Sequence, residues 1–111
     1  MAENSTPENN ARETGADAGE ISVARNEQAG RFEIFVDGDV AGFADYSDAD
    51  GVRTMPHTVI DPAHGGRGLG GVLVREALDD ARAKGLKVAP HCSFVAGFIE
   101  KHPEDYGDLV R

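Results

Sequence analysis

The sequence predicts one α+β domain: a mixed, mostly antiparallel sheet with a strand–helix–strand (β-α-β) crossover and a C-terminal helix. Three observations predict it. Between Ile21 and Ile60, short runs of alternating apolar residues are separated by turn residues, which is the pattern of strands. From Leu69 to Lys84 the apolar spacing lengthens to that of an amphipathic helix. After Gly85 a short apolar run returns and is followed by a second helical segment.

Taken in order, residues 1–19 contain no branched aliphatic residue and no aromatic, so they cannot bury enough surface to offset their ordering entropy. They read as a disordered acidic tail, and residues 20–111 as the domain. Ile21–Arg25 is a short strand. Arg31–Val36 is a stronger one, with Phe32, Ile34 and Val36 on one face. Asp37-Gly38 then marks a hairpin, because both central residues of that turn need positive φ. The return strand runs from Val40 to about Tyr46, Ser47–Gly51 is a polar turn, and Val52–Ile60 is a fourth strand with Pro56 as an irregularity. Leu69, Leu73, Ala77 and Ala81, widened by Val74 and Leu78, give the helix its buried stripe, and Gly85 ends it. Leu86–Ala89 is a fifth strand, and Phe94 to about Lys101 the last helix. A crossover from Val52 to Val88 implies a parallel pair.

Composition limits the function. The 111 residues support one domain. Twenty acids against eleven bases give a net charge of −9, which argues against nucleic acid and against an anionic membrane surface. The single cysteine, Cys92, fits a reducing compartment, and neither a membrane-length apolar run nor a secretory leader is seen, so a cytoplasmic location is expected. Metal is not expected, since no Cys-x-x-Cys or His-x-x-x-His spacing occurs.

The most informative segment is Asp61-Pro62-Ala63-His64-Gly65-Gly66-Arg67-Gly68-Leu69-Gly70-Gly71. Five glycines in the seven positions 65–71 are entropically costly. At the mouth of a helix they have a use: an anion can approach the backbone N–H groups and the positive end of the helix, with Arg67 as an added cation. A P-loop is excluded, because no Gly-Lys-Ser or Gly-Lys-Thr follows. Gly66-x-Gly68-x-x-Gly71 matches a dinucleotide fingerprint formally, but the next strand ends in Pro90-His91 rather than an acid for the ribose.

Gly65-Gly66-Arg67-Gly68-Leu69-Gly70, at a strand-to-helix turn, resembles the signature of the GNAT (GCN5-related N-acetyltransferase) superfamily, with glycine at 65 in place of the family's first Gln or Arg. Together with Arg31-Phe32-Glu33, Asp37-Gly38, His57-Thr58-Val59, Gly85 to Val95 and His102-Pro103, it is similar to the minimal YjdJ-like branch. The resemblance implies acetyl-CoA as cosubstrate and an amine as acceptor. It puts the pyrophosphate on Gly65, Gly66, Arg67, Gly68, Leu69, Gly70 and Gly71. The pantetheine arm would lie between the strand before Asp61 and the strand Leu86–Ala89, with Val59 and Ser93 also on the cofactor. It further implies His57 and Cys92 as the active residues. Cys92 stands between a strand and a helix start, where a thiol pKa falls and an acetyl group could be accepted; it reads equally as a small buried hydrophobe. His57 reads as a base near neutral pH or as a satisfied strand histidine. Only Asn26–Gly30 separates the first two strands, where larger family members carry helices that help build the acceptor site. Three functions follow from this reading: an N-acetyltransferase, a non-catalytic CoA or acyl-CoA binding module, and a structural interaction domain.

Overall fold

Alternating residues and tight turns build the strands that open the fold; the computed structural model describes residues 20–111, and the expected tail over residues 1–19 lies outside the described residues. Strand β1 (Ile21–Asn26) pairs antiparallel with β2 (Arg31–Val36), and β2 with β3 (Asp39–Asp45). The β2–β3 turn is the expected one: Asp37 and Gly38 both have positive φ, 53° and 88°. Strand β6 (Thr58–Ile60) pairs antiparallel with β3, completing the order β1-β2-β3-β6. Gly42 permits this last pairing, since a Cβ there would stand 2.4 Å from the Val59 carbonyl oxygen.

A second sheet has the order β4-β5-β7, from β4 (Ser47–Ala49), β5 (Val52–Thr54) and β7 (Lys87–Ala89). Two expectations change here. Ser47–Gly51 is not only a turn, because Ser47–Ala49 pairs with Val52–Thr54. The expected strand Val52–Ile60 is divided in two, and its halves belong to different sheets. Pro56 explains the division: it has no N–H to continue a ladder. Met55 N still donates to Ala89 O at 3.1 Å, whereas the His57 carbonyl accepts from Asp45 N at 2.9 Å. Within two residues the chain has changed partners.

Helix α1 (Leu69–Ala83) connects the parallel pair β5 and β7, as the crossover requires. Its buried face, including Leu73, Val74, Ala77 and Leu78, packs on Phe32, Ile34 and Val36 of β2. Gly85 ends it with φ of 73°. Leu86 N donates to Ala81 O and Gly85 N to Arg82 O, at 2.9 and 3.0 Å, which is a Schellman closure. Helices α2 (Ser93–Lys101) and α3 (Pro103–Tyr106) follow, and the C-terminal end returns to β7 through Arg111 N to Val88 O at 3.0 Å. No helix among the described residues is long and apolar enough to cross a membrane.

One buried charge holds the crossover. Arg53 of β5 is fully buried and grips Asp48 with Nε and Nη2, each at 2.8 Å. Its Nη1 reaches the Ala77 carbonyl at 2.9 Å and Asp80 at 3.0 Å, so it ties β4 and β5 to α1. Burial pushes the Asp80 carboxyl up, but Lys84 and Arg53 more than offset this and hold it below its ordinary 3.8. A carboxylate depressed by folding contributes stability that is complete above the unfolded value and lost as pH falls through the folded one. The urea midpoint should therefore drop as pH is lowered from about 5 to about 3, and Asp80→Asn should flatten that drop. An equally steep drop in the variant would contradict this assignment.

Candidate functional site

The split at Pro56 creates an opening in the sheet. Strand β5 stays with β7 while β6 leaves with β3, and among the described residues no backbone bond joins β6 to β7. At its base, Cys92 N donates to the Met55 carbonyl at 2.9 Å. The Cys92 thiol faces the Thr58 hydroxyl across the opening, with Sγ and Oγ1 3.7 Å apart. Cys92 is half-buried and is the residue from which α2 starts. Burial pushes its thiol up. The Val95 amide, the Thr58 hydroxyl and the Phe94 amide favour the thiolate and bring the net value below the ordinary 9.0. Iodoacetamide labelling of Cys92, followed by mass, should accordingly reach half its maximal rate at a pH below that of a free peptide thiol. A midpoint at or above the peptide value would contradict the geometry.

The glycine-rich turn runs from β6 to α1. Asp61 starts it, its side chain accepting from Ala63 N at 2.9 Å and so capping a short 3₁₀ turn over Pro62–His64. Gly66 and Gly68 then take φ of 79° and 74°, which side chains rarely adopt. Gly68 is the N-cap of α1 and, having no side chain, caps nothing. The consequence is a set of donors left unused by the backbone ladder of the helix. Among the described residues, no carbonyl or side chain accepts from the amides of Gly66, Gly68, Leu69, Gly70 or Gly71; the first internal acceptor of α1 is Gly68 O, for Val72 N at 3.4 Å. These N–H groups sit at the positive end of a 15-residue helix. Arg67 flanks them, with Nη1 3.5 Å from His64 Nδ1. Chemically, N–H groups of this kind at a helix start can receive an anion.

The five glycines are not equivalent. Gly66 and Gly68 serve the backbone path, with open space where a Cβ would be. Gly70 serves a contact: a Cβ there would be 2.8 Å from Cζ of Phe94. Gly71 is looser, its Cβ position 3.5 Å from Phe98.

The other expected residues divide between two faces. His57 is well exposed, its Nδ1 3.4 Å from Asp45 Oδ2, an unforeseen carboxylate partner. Side chains alternate along an extended chain, so Thr58 faces Cys92 while His57 and Val59 face the other side. The structure therefore brings Cys92 to Thr58 and His57 to Asp45, with no contact between His57 and Cys92 among the described residues. Val59 is exposed beside Phe43, and Ser93 is the exposed first residue of α2. Among the described residues no group of three or more His, Cys, Asp or Glu could hold a metal ion. A separate concavity of about 660 Å³ lies between α1 and the C-terminal segment. Its two arginines are engaged: Arg75 donates to the Tyr106 hydroxyl at 3.2 Å, and Arg82 pairs with Asp108 at 2.9 Å. Tyr106 in turn donates to Asp79 at 2.7 Å, so this cleft clamps the C-terminal segment onto α1.

Solved structures are similar to this chain in fold. A GCN5-like protein from Staphylococcus aureus is 25% identical and superposes with a TM-score of 0.63, over 81% of this chain and 87% of its own. The ribosomal-protein-S18-alanine N-acetyltransferase of Escherichia coli is 22% identical over 69% of this chain and 53% of its own, with a TM-score of 0.56. A GNAT acetyltransferase of Brucella melitensis, solved with acetyl-CoA, is 24% identical over 65% of this chain and 54% of its own, with a TM-score of 0.52. The chain thus spans about half the length of those last two, and 40% and 19% of the matched acetyltransferases from Desulfovibrio desulfuricans and Sphaerobacter thermophilus. No curated protein matches it. The family model described as GCN5-related N-acetyl-transferase matches residues 31–109, from the first residue of β2 to the buried Leu109. A match over that span, enclosing both the opening between β6 and β7 and the glycine-rich turn, places the chain in the GCN5-related N-acetyltransferase family.

Proposed function

We propose that this chain is an acetyl-CoA-dependent N-acetyltransferase with an amine acceptor. The observation that carries the reading is the set of amides of Gly66, Gly68, Leu69, Gly70 and Gly71, for which no acceptor stands among the described residues, beside an opening between two strands that reaches Thr58 and Cys92. In this reading Gly65, Gly66, Arg67, Gly68, Leu69, Gly70 and Gly71 hold the diphosphate. The backbone of Val59 and Ser93 lines the path of the pantetheine arm. Acetyl-CoA supplies an electrophilic thioester carbonyl. The acceptor must reach that carbonyl as a neutral amine, and in this reading His57, with Asp45 beside it, takes the proton on the face of β6 away from Cys92. Cys92 offers the covalent alternative in this reading: its thiolate attacks the thioester carbonyl, the C–S bond to CoA breaks with CoA leaving as its thiol, and attack by the amine on the S-acetyl group then frees the Cys92 sulfur.

A thermal-shift titration tests the reading. A ligand bound only by the folded state stabilises it by about 2.7 kcal/mol at a hundredfold excess over Kd, so acetyl-CoA should raise the midpoint. Absence of any shift at millimolar acetyl-CoA would remove the proposal. Release of free CoA across a panel of amines tests turnover, and intact mass after acetyl-CoA exposure tests the relay. A wild-type acetyl adduct that persists in Cys92→Ala excludes Cys92 as carrier.

A second reading, a non-catalytic CoA or acyl-CoA binding module, is favoured by one observation. The β1–β2 connection is only the short turn between Asn26 and Arg31, with no helix to wall an acceptor site. Ligand-induced stabilisation without CoA release on any amine would select it.

A further inference from the structure

We propose that Phe94 is the positioning residue for the pantetheine arm, holding it between the diphosphate cradle and the Cys92 end of the opening. The inference rests on the functional reading above and adds to it a residue that grips the middle of the ligand. Phe94 is the second residue of α2, two positions after Cys92, and its amide faces the Cys92 sulfur. The tip of its ring lies on the first turn of α1: Cζ and Cε2 stand 2.8 and 3.2 Å from where a Gly70 Cβ would be. One residue thus touches both ends, its ring the turn whose amides would hold phosphate and its backbone the sulfur that marks the reacting end.

Its exposure fits that role better than a structural one. Phe94 is 45% exposed, whereas its neighbour in sequence Val95 and Gly70's neighbour in sequence Leu69 are 0% and 2% exposed. The core is closed without the ring. Gly70 has no positive φ, so its missing side chain serves this contact rather than the backbone path. A half-exposed aromatic face flanked by polar backbone suits the arm that links diphosphate to thiol in CoA, which is largely aliphatic with amides at intervals. A ligand running from the Gly66–Gly71 amides to Thr58 and Cys92 passes this ring.

The test is a pair of calorimetric titrations on the full chain, with CoA and with 3′-phospho-ADP, which keeps the diphosphate and lacks the arm. In Phe94→Ala, CoA affinity should fall about five- to tenfold, the scale of half-burying one aromatic ring, with 3′-phospho-ADP held within about twofold. Phe94→Leu should lose less for CoA and again leave 3′-phospho-ADP unchanged. Retained 3′-phospho-ADP binding also certifies that the variants are folded. Unchanged CoA affinity, or equal weakening of both ligands in both variants, overturns the role of Phe94. Equal affinity of the wild-type chain for the two ligands overturns it too, while leaving the cradle standing. If the wild-type chain binds neither ligand, the diphosphate reading itself fails and this inference with it.

Discussion

Replacing Arg53 with methionine is expected to cost about 3 kcal/mol of folding stability, the lower end of the range for breaking a buried ion pair. The guanidinium is fully buried, bidentate to Asp48, and bonded to Asp80 and the Ala77 carbonyl. It also lies over Tyr46 at 4.6 Å and Phe32 at 5.3 Å. Burial works against its charge, but Asp48 and Asp80 more than restore it, and the net shift is upward. Methionine keeps the apolar stem and removes every polar contact, so the variant isolates the polar contribution. Both carboxylates are 29% exposed and regain some hydration, which holds the cost toward the lower end. Urea denaturation measures it, and a loss below about 1 kcal/mol would show that the cluster is energetically neutral. Arg53→Lys should also destabilise, because a point charge cannot make the two-pronged contact to Asp48.

The second large effect is on ligand binding. Gly68→Val should weaken CoA binding about tenfold to a hundredfold, the scale of one charge-assisted hydrogen bond. Gly68 holds φ of 74° at the N-cap of α1. Valine there either stays strained, costing about 1–3 kcal/mol of stability, or relaxes to negative φ and turns the neighbouring amides out of line. Gly97→Ala is the matched control: it lies inside α2 with nothing within 4 Å of its Cβ position. That change should leave CoA affinity alone and stabilise the helix slightly. Equal affinity in Gly68→Val and Gly97→Ala would mean that the backbone path through Gly68 is irrelevant to the ligand.

Local chemistry made much of the fold legible. Asp37-Gly38 gave its hairpin, the Leu69–Ala81 stripe its helix, and Gly85 its stop, because each depends on a few adjacent residues. The parallel pair followed from connectivity, and β5 and β7 form it. What stayed hidden depends on distant partners. Arg53 in sequence is one more charge. Only the fold brings Asp48 and Asp80 around it, and the same contact turns an acidic stretch into β4. Pro56 was visible as an irregularity, but its consequence, a change of sheet between Thr54 and Thr58, required knowing that β3 and β7 lie on different sides. That change also set His57 and Cys92 on opposite faces of β6. Tyr106 and Leu109 join the core without periodic neighbours, so no pattern marked them.

At the site, the glycine run was conspicuous as a run, while the separate reasons for its members were not. Gly66 and Gly68 answer to backbone torsion, whereas Gly70 answers to an aromatic ring from another helix. Asp45 behind His57 and Thr58 opposite Cys92 are likewise products of strand register.

The central claim is that the bare amides at the start of α1 receive a diphosphate. Titrating ¹⁵N-labelled chain with CoA tests it most directly, one amide at a time. The largest shifts should fall on Gly66, Gly68, Leu69, Gly70 and Gly71, and 3′-phospho-ADP should reproduce them. Saturable CoA binding that leaves those five signals in place would contradict it.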